Sequence, residues 1–357
     1  MKLRRSTVAA LAAGALALAG CSGAGTTAAS GAEVTTEVSV SPAAASTSYP
    51  LTLESPFGQT TLAARPTKVA VVSSVDLDVA LALGVLPVIA PQYGDAAADP
   101  WAADAVAALG QGELKTYDST DGTDFEAIAA AEPDVILATS GWTLDTDYEQ
   151  LSKIAPIVSF QGEDGLAAMT WAERTEQAAT ALDLAAPGNR AVAAVDTAFA
   201  DAAAANPQFA GKSITYAVLH PDQITYISYA GSDMDFFTDL GFTLPANASQ
   251  FSGSNDAVSR ENVDLLDADV LLVGYPFGDE GLLTQSAFES DPLFQQIPAV
   301  AGGHYAVVDD AVASPLAYPT PLSQTWVLDQ LLPVLQSAVA GTPAAAVASS
   351  VAPTSGS

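Results

Sequence analysis

Short apolar runs alternate along the chain with segments of helical periodicity. The runs Lys68–Ser74, Val85–Ala90, Asp134–Thr139, Ile157–Phe160, Ile214–Leu219, Thr225–Tyr229, Asp269–Gly274 and Tyr305–Asp309 are bounded by polar, Gly or Pro residues, which predicts strands. Between them, Asp78–Leu83, Phe125–Glu132, Asp147–Ile154, Trp171–Leu182, Asp233–Leu240, Glu261–Leu266 and Ser323–Val339 read as helices. Strand–helix alternation of this kind predicts an α/β fold, with parallel sheets covered by helices. The segment Pro187–Asn206 is Ala-rich, with Pro at the expected N1 and Pro207 as a stop. As a helix it would be about 30 Å long, enough to join two lobes as a strut.

A repeat spans that strut. Asp76 and Asp78 precede Gly84 with the spacing by which Asp233 and Asp235 precede Gly241. Glu126 stands before Asp134 as Glu261 stands before Asp269, and each Asp opens an apolar run. Two matched pairs in the same order, one in each half, predict two similar α/β lobes.

The ends of the chain differ from this body. Lys2, Arg4 and Arg5 precede an uncharged run, Val8–Gly20, too short to cross a hydrocarbon core that needs about 20 residues. Leu18-Ala19-Gly20-Cys21 resembles a bacterial lipobox, and in lipoproteins with this motif the peptide is cut before the cysteine, which is then lipidated. Residues 22–48, rich in Ser, Thr, Ala and Gly, read as a flexible tether reaching roughly 30 Å. Residues 341–357 read as a disordered tail.

Composition narrows the function. The chain has 357 residues, 11 Lys+Arg against 41 Asp+Glu and a net charge of −30, and the signal segment removes cations only. Such a surface argues against nucleic-acid partners. One cysteine excludes a disulfide framework, and two histidines, His220 and His304, exclude a His-rich metal cage. Gly211-Lys212-Ser213 imitates the end of a phosphate-binding loop, but Asn206 stands where that motif needs Gly. The hydrolase and dinucleotide signatures GxSxG, HExxH and GxGxxG are absent, which argues against an enzyme and leaves a secreted hydrolase as a remote alternative.

The segments Arg65–Pro91, Asp124–Gly141, Tyr148–Val158, Thr170–Leu184, Ser259–Val273 and Asp291–Asp310 resemble the substrate-binding lipoproteins of bacterial ABC importers for ferric siderophores, haem and cobalamin. The Thr170-Trp171 helix start and Pro321–Trp326 are most similar to the iron–siderophore branch. The resemblance implies two Rossmann-like lobes joined by one long helix, with ligand in the cleft between them. The expected organisation is a signal peptide and lipobox at 1–21, the tether at 22–48, an N-terminal lobe at 49–186, the interlobe helix at 187–210, a C-terminal lobe at 211–340 and the tail at 341–357. It also implies an extracytoplasmic monomer, lipid-anchored to the outer face of the cell membrane. Such a receptor hands a ferric siderophore to an ABC permease dimer and needs no cofactor, because iron travels within the chelate. Haem or cobalamin is the alternative cargo.

Ligands of open α/β sheets bind beyond the carboxyl ends of the strands. That rule proposes Ser73, Ser74, Gln92, Tyr93, Ser140, Trp142 and Phe160 in the first lobe, and His220, Tyr229, Tyr275 and Phe277 in the second. Tyr318, ahead of the last helix, joins them, whereas Trp171 and Trp326 read as core. Exposed aromatic rings suit a bulky organic chelate. His220 or a nearby Tyr would serve as the axial ligand in the haem alternative. Of the cations outside the signal segment, Lys115, Lys153 and Arg174 remain as candidates for the cleft, none well placed. A tri-anionic catecholate would need several. The reading therefore favours a hydroxamate-type chelate. In the family, acids at the positions of Glu126 and Glu261 form salt bridges with permease arginines, which implies docking roles for both.

Overall fold

The computed structural model describes residues 46–94, 97–162, 169–220, 223–229, 234–274 and 285–346. Cys21, the signal segment and Asp233 of the repeat lie outside the described residues.

A hairpin comes first (β1, Leu51–Ser55; β2, Gly58–Leu62). The N-terminal lobe follows as β3 (Val69–Val71), α1 (Ser74–Ala82), β4 (Ala90–Gln92), α2 (Pro100–Leu109), β5 (Thr116–Asp118), α3 (Phe125–Ala130), β6 (Val135–Ala138), α4 (Leu144–Leu151), β7 (Ile157–Ser159) and α5 (Trp171–Ala181). Strands β3, β6 and β7 pair in parallel, and the parallel bridge from Ala70 to Ile89 brings the β4–β5 pair alongside β3. After α6 (Ala185–Ala205) the C-terminal lobe runs β8 (Ile214–Leu219), β9 (Ile224–Tyr226), α7 (Asp235–Asp239), β10 (Ala257–Val258), β11 (Val270–Gly274), α8 (Gln285–Ser290), α9 (Pro298–Ala301), β12 (Tyr305–Val308), α10 (Asp310–Ala317), α11 (Pro321–Val339) and β13 (Ala344–Ala346). Its sheet order is β10-β9-β8-β11-β12-β13, antiparallel only at β9 and β10.

The unbroken apolar runs follow from burial on both sheet faces. Val69, Val71, Val135, Leu137 and Val158 join one core, and Ala70, Ile136, Ala138 and Ile157 join another on the opposite face. The same alternation divides β8, β11 and β12 between two cores in the second lobe.

The repeat corresponds to a shared construction. Asp134 accepts hydrogen bonds from the Thr67 and Lys68 amides at 2.9 Å, anchoring the chain ahead of β3. Asp269 accepts from the Ser213 amide at 2.8 Å and its hydroxyl at 2.9 Å, anchoring the chain ahead of β8. The amide bond holds the Asp269 carboxyl below the usual carboxylate range. Gly84 and Gly241, with φ of +82° and +97°, close equivalent helix ends where a side chain would be strained.

Several boundaries differ from expectation. Helix α6 begins at Ala185, so Pro187 lies inside its first turn, where its missing N–H costs nothing. Residues 260–266 form a kinked 3-10 segment in place of an α-helix. The end of the tether is docked: the Thr47 amide donates to Asp183 at 2.6 Å and its hydroxyl to the Thr180 carbonyl at 2.9 Å. The expected tail contributes β13, which pairs in parallel with β12 and completes that sheet edge.

Helix α11 is a second connection between the lobes. It lies against β12 and β13 and also against α1, α2, α5 and α6. Its N-cap, Thr320, donates at 2.8 Å to Asp78 of α1, which also accepts from Trp101 Nε1 of α2 at 2.7 Å. Trp101 in turn lies 5.0 Å from Trp326 of α11. Burial pushes the Asp78 carboxyl up to about 7, against the two hydrogen bonds and with help from Asp99. The folded protein thus keeps a proton on Asp78 that the unfolded chain releases near pH 3.8. The resulting stabilisation is full below that pH and is lost as pH rises towards 7. Between about pH 5 and pH 8, wild type should lose on the order of 2–3 kcal/mol relative to Asp78→Asn, measured by urea denaturation at each pH. Parallel pH profiles for the two proteins would contradict this.

Candidate functional site

A cavity of about 610 Å³ opens between the lobes, a size typical of small-ligand sites. Its first-lobe wall is built at carboxyl ends of parallel strands. Beyond β3 comes Val75, beyond β6 come Ser140 and Trp142, and beyond β7 come Met169, Thr170, Trp171 and Arg174 at the start of α5. That start is fixed by a capping box: Thr170 accepts from the Glu173 amide at 3.2 Å, and Glu173 accepts from the Thr170 amide at 2.8 Å. The other wall comes from the middle of α6 (Val195, Asp196, Phe199), from Ile227 and Tyr229 after β9, and from Asp235, Phe236 and Asp239 of α7. Leu316–Pro319 and Gln324, around the α10–α11 junction, close it.

Buried Asp76 sets the position of the β6 loop. It accepts from the Thr139 amide at 2.8 Å, from the Thr139 hydroxyl at 2.7 Å and from Ser73 Oγ at 2.6 Å. Burial raises its carboxyl above the usual range despite these bonds. Ser140 and Trp142 follow directly from this clamp. Trp142 remains 62% exposed, and its ring meets that of Tyr318 edge-on at 5.1 Å, so an aromatic pair stands at the rim.

Of the residues expected at the cleft, Ser140, Trp142, Tyr229 and Tyr318 come together in the cavity wall. Ser74 is exposed beside Val75 but is not part of the wall, and Ser73 is occupied as the N-cap of α1. Tyr93 is 69% exposed outside the wall, Gln92 accepts from Thr116, and Phe160 is buried in the first-lobe core. His220 also stands apart. Strand β8 turns straight back into antiparallel β9, so the residue at its end serves the turn. The His220 amide bonds the Gln223 carbonyl at 2.9 Å, and Nε2 lies 3.0 Å from Thr225 Oγ1. Tyr275 and Phe277 lie outside the described residues.

Trp171, expected in the core, and Arg174, expected to be poorly placed, both line the cavity. Asp196, Asp235, Asp239 and Gln324 were not among the expected residues at all. The signal for the first pair was available, since a helix that follows a parallel strand starts at the ligand end of the sheet. Among the described residues of the wall, Arg174 is the one cation and the three aspartates are the acids. Glu126 and Glu261 lie elsewhere, both exposed, in the first turns of α3 and of the 260–266 segment. Arg260, next to Glu261, is engaged by Asp291 and lies 5.4 Å from the Phe294 ring centre.

Residues 69–312 match the family described as periplasmic binding protein. The chain belongs to that family. This periplasmic binding protein is similar to the Fe(3+)-citrate-binding protein YfmC of Bacillus subtilis, with 26% identity over 253 residues, 69% of this chain and 74% of that one. It is also similar to the solved structure of PiaA from Streptococcus pneumoniae in complex with ferrichrome. Identity there is 30%, the TM-score is 0.68, and the match covers 82% of this chain and 99% of that one. A periplasmic solute binding protein of Mycobacterium smegmatis matches with 26% identity and a TM-score of 0.66, over 81% of this chain and 98% of that one. These relatives are binding proteins, and two lobes around a cleft agree with that role. Among the described residues, no helix is long and apolar enough to cross a membrane.

Proposed function

We propose that this periplasmic binding protein captures a ferric siderophore in the interlobe cavity and delivers it to an ABC permease. The observation that carries the reading is the cavity itself, walled by Trp142, Trp171, Tyr229, Tyr318 and Phe236 with a few polar groups between them. Flat aromatic area with sparse donors suits a bulky chelate whose metal is already saturated by its own oxygens. Iron then arrives inside its ligand, and the protein needs no resident cofactor. The similarity to a protein named for Fe(3+)-citrate binding and to one solved in complex with ferrichrome supports the same cargo class. Among the described wall residues one guanidinium stands against three carboxylates in number, a balance that favours a hydroxamate-type chelate over a tri-anionic catecholate. The haem alternative loses its histidine, because His220 is committed to the β8–β9 turn.

The test is affinity for ferrichrome in variants of the rim. Trp142→Ala and Tyr318→Ala should each weaken binding by about 1–3 kcal/mol, with thermal midpoints close to wild type. Unchanged affinity in both would remove the cavity as the site.

The receptor acts as a monomer outside the cytoplasm, held to the membrane by a lipid on Cys21, with Glu126 and Glu261 meeting the permease. Palmitate labelling that is lost in Cys21→Ala checks the anchor, and labelling that persists would refute it.

A further inference from the structure

The cavity has two unlike sides. On one, Ser140 Oγ and Gln324 Nε2 are buried at the wall, in residues 2% and 4% exposed, and neither atom has a hydrogen-bond partner among the described residues. A buried polar group without a partner is destabilising, and a bound ligand that pairs with it relieves that cost. Arg174 lines the same cavity. Hydroxyl, amide and guanidinium groups together suit the oxygen-rich surface of a chelate.

On the other side the wall is acidic. Asp235 and Asp239 stand one turn apart on α7, so they share a helix face, and Asp196 reaches the same cavity from α6, which packs against α7. Burial, and then repulsion from Asp235 and Asp196, raises the Asp239 carboxyl above its ordinary range. Three carboxylates held this close repel one another, and a positive group among them would relieve that cost. A neutral ligand would leave it standing.

We infer that the cleft selects a ferric hydroxamate with a pendant protonated amine, its chelate oxygens on Ser140, Gln324 and Arg174 and its ammonium among Asp196, Asp235 and Asp239. This deepens the siderophore reading and rests on it. The ammonium brings positive charge to the acidic side, while the chelate supplies acceptors for Ser140 and Gln324.

The test uses two probes with one chelate. Ferrioxamine B is a linear ferric trihydroxamate with a free ammonium, and its N-acetyl derivative has the same metal centre without that charge. Wild-type protein should bind the ammonium form roughly tenfold more tightly at low salt, and the gap should narrow as ionic strength rises. In Asp235→Asn/Asp239→Asn the gap should close to about twofold, and Asp196→Asn, on a separate helix, should narrow it independently. Equal affinity of wild type for the two probes, or a gap that survives in all the Asn variants, overturns the inference. In that case binding of the acetylated probe or ferrichrome leaves the siderophore reading standing. Failure of both probes and ferrichrome to bind overturns both.

Discussion

Cells carrying Glu126→Ala/Glu261→Ala are expected to lose uptake of a ferric siderophore, although the purified protein binds its ligand normally and melts close to wild type. Glu126 and Glu261 stand before Asp134 and Asp269, the two carboxylates that anchor the first strand of each lobe. The repeat therefore places one exposed acid at a matching point on each lobe. Such a receptor can straddle a two-fold permease, each acid meeting the same patch of one subunit. Exposed charge pairs of this kind fix register and speed encounter more than they add affinity. The competing account is that each Glu only complements a helix N-terminus, worth about 0.3–1 kcal/mol. That account predicts a small loss of stability with unimpaired transport. Accumulation of radiolabelled ferric chelate separates the two, and normal uptake by the double variant would remove the docking role.

Replacing Asp76 by alanine should be the most damaging change near the site. The carboxylate is fully buried and holds the end of β6 to the start of α1 through Thr139 and Ser73. Its loss leaves several buried donors unpaired and opens a hole, at a cost of about 3–5 kcal/mol. The same change frees the loop that carries Ser140 and Trp142, so siderophore binding should fall with stability. Because burial already favours the protonated acid, Asp76→Asn should cost clearly less. Urea denaturation of both variants measures this. Equal stability of Asp76→Ala and wild type would show that the clamp is dispensable.

The lobes were legible because their sheets are buried on both faces. Runs such as Asp134–Thr139 and Asp269–Gly274 stand out wherever a central strand has no wet side, and the Glu and Asp spacings mark the elements around them. The β1–β2 hairpin, half exposed along β1, and α2, with its Pro start and Gly110 stop, lack that signal and were not among the expected elements. At the site, the strand-end rule holds for Ser140 and Trp142, which follow a parallel strand. It fails at His220 because β8 continues into a hairpin, a choice made by long-range pairing and not by local pattern. The acidic wall was legible only in part. Asp235 belongs to the repeat, but its counterpart Asp78 is buried against Trp101 and Thr320, so the same spacing serves packing in one lobe and the cleft in the other. Which role each takes depends on where α11 crosses, and no local signal encodes that.

The most direct test of the account is an equilibrium titration of the soluble chain from Ser22 with ferrichrome, ferrioxamine B, their iron-free forms and haem, followed by tryptophan fluorescence. Trp142 and Trp171 line the cavity, so occupancy should change the emission. The account predicts saturable quenching at a single site by at least one of the two ferric chelates, much weaker binding of the iron-free forms, and no Soret shift with haem. No saturable response to either ferric chelate, or a haem complex with a shifted Soret band, would contradict it.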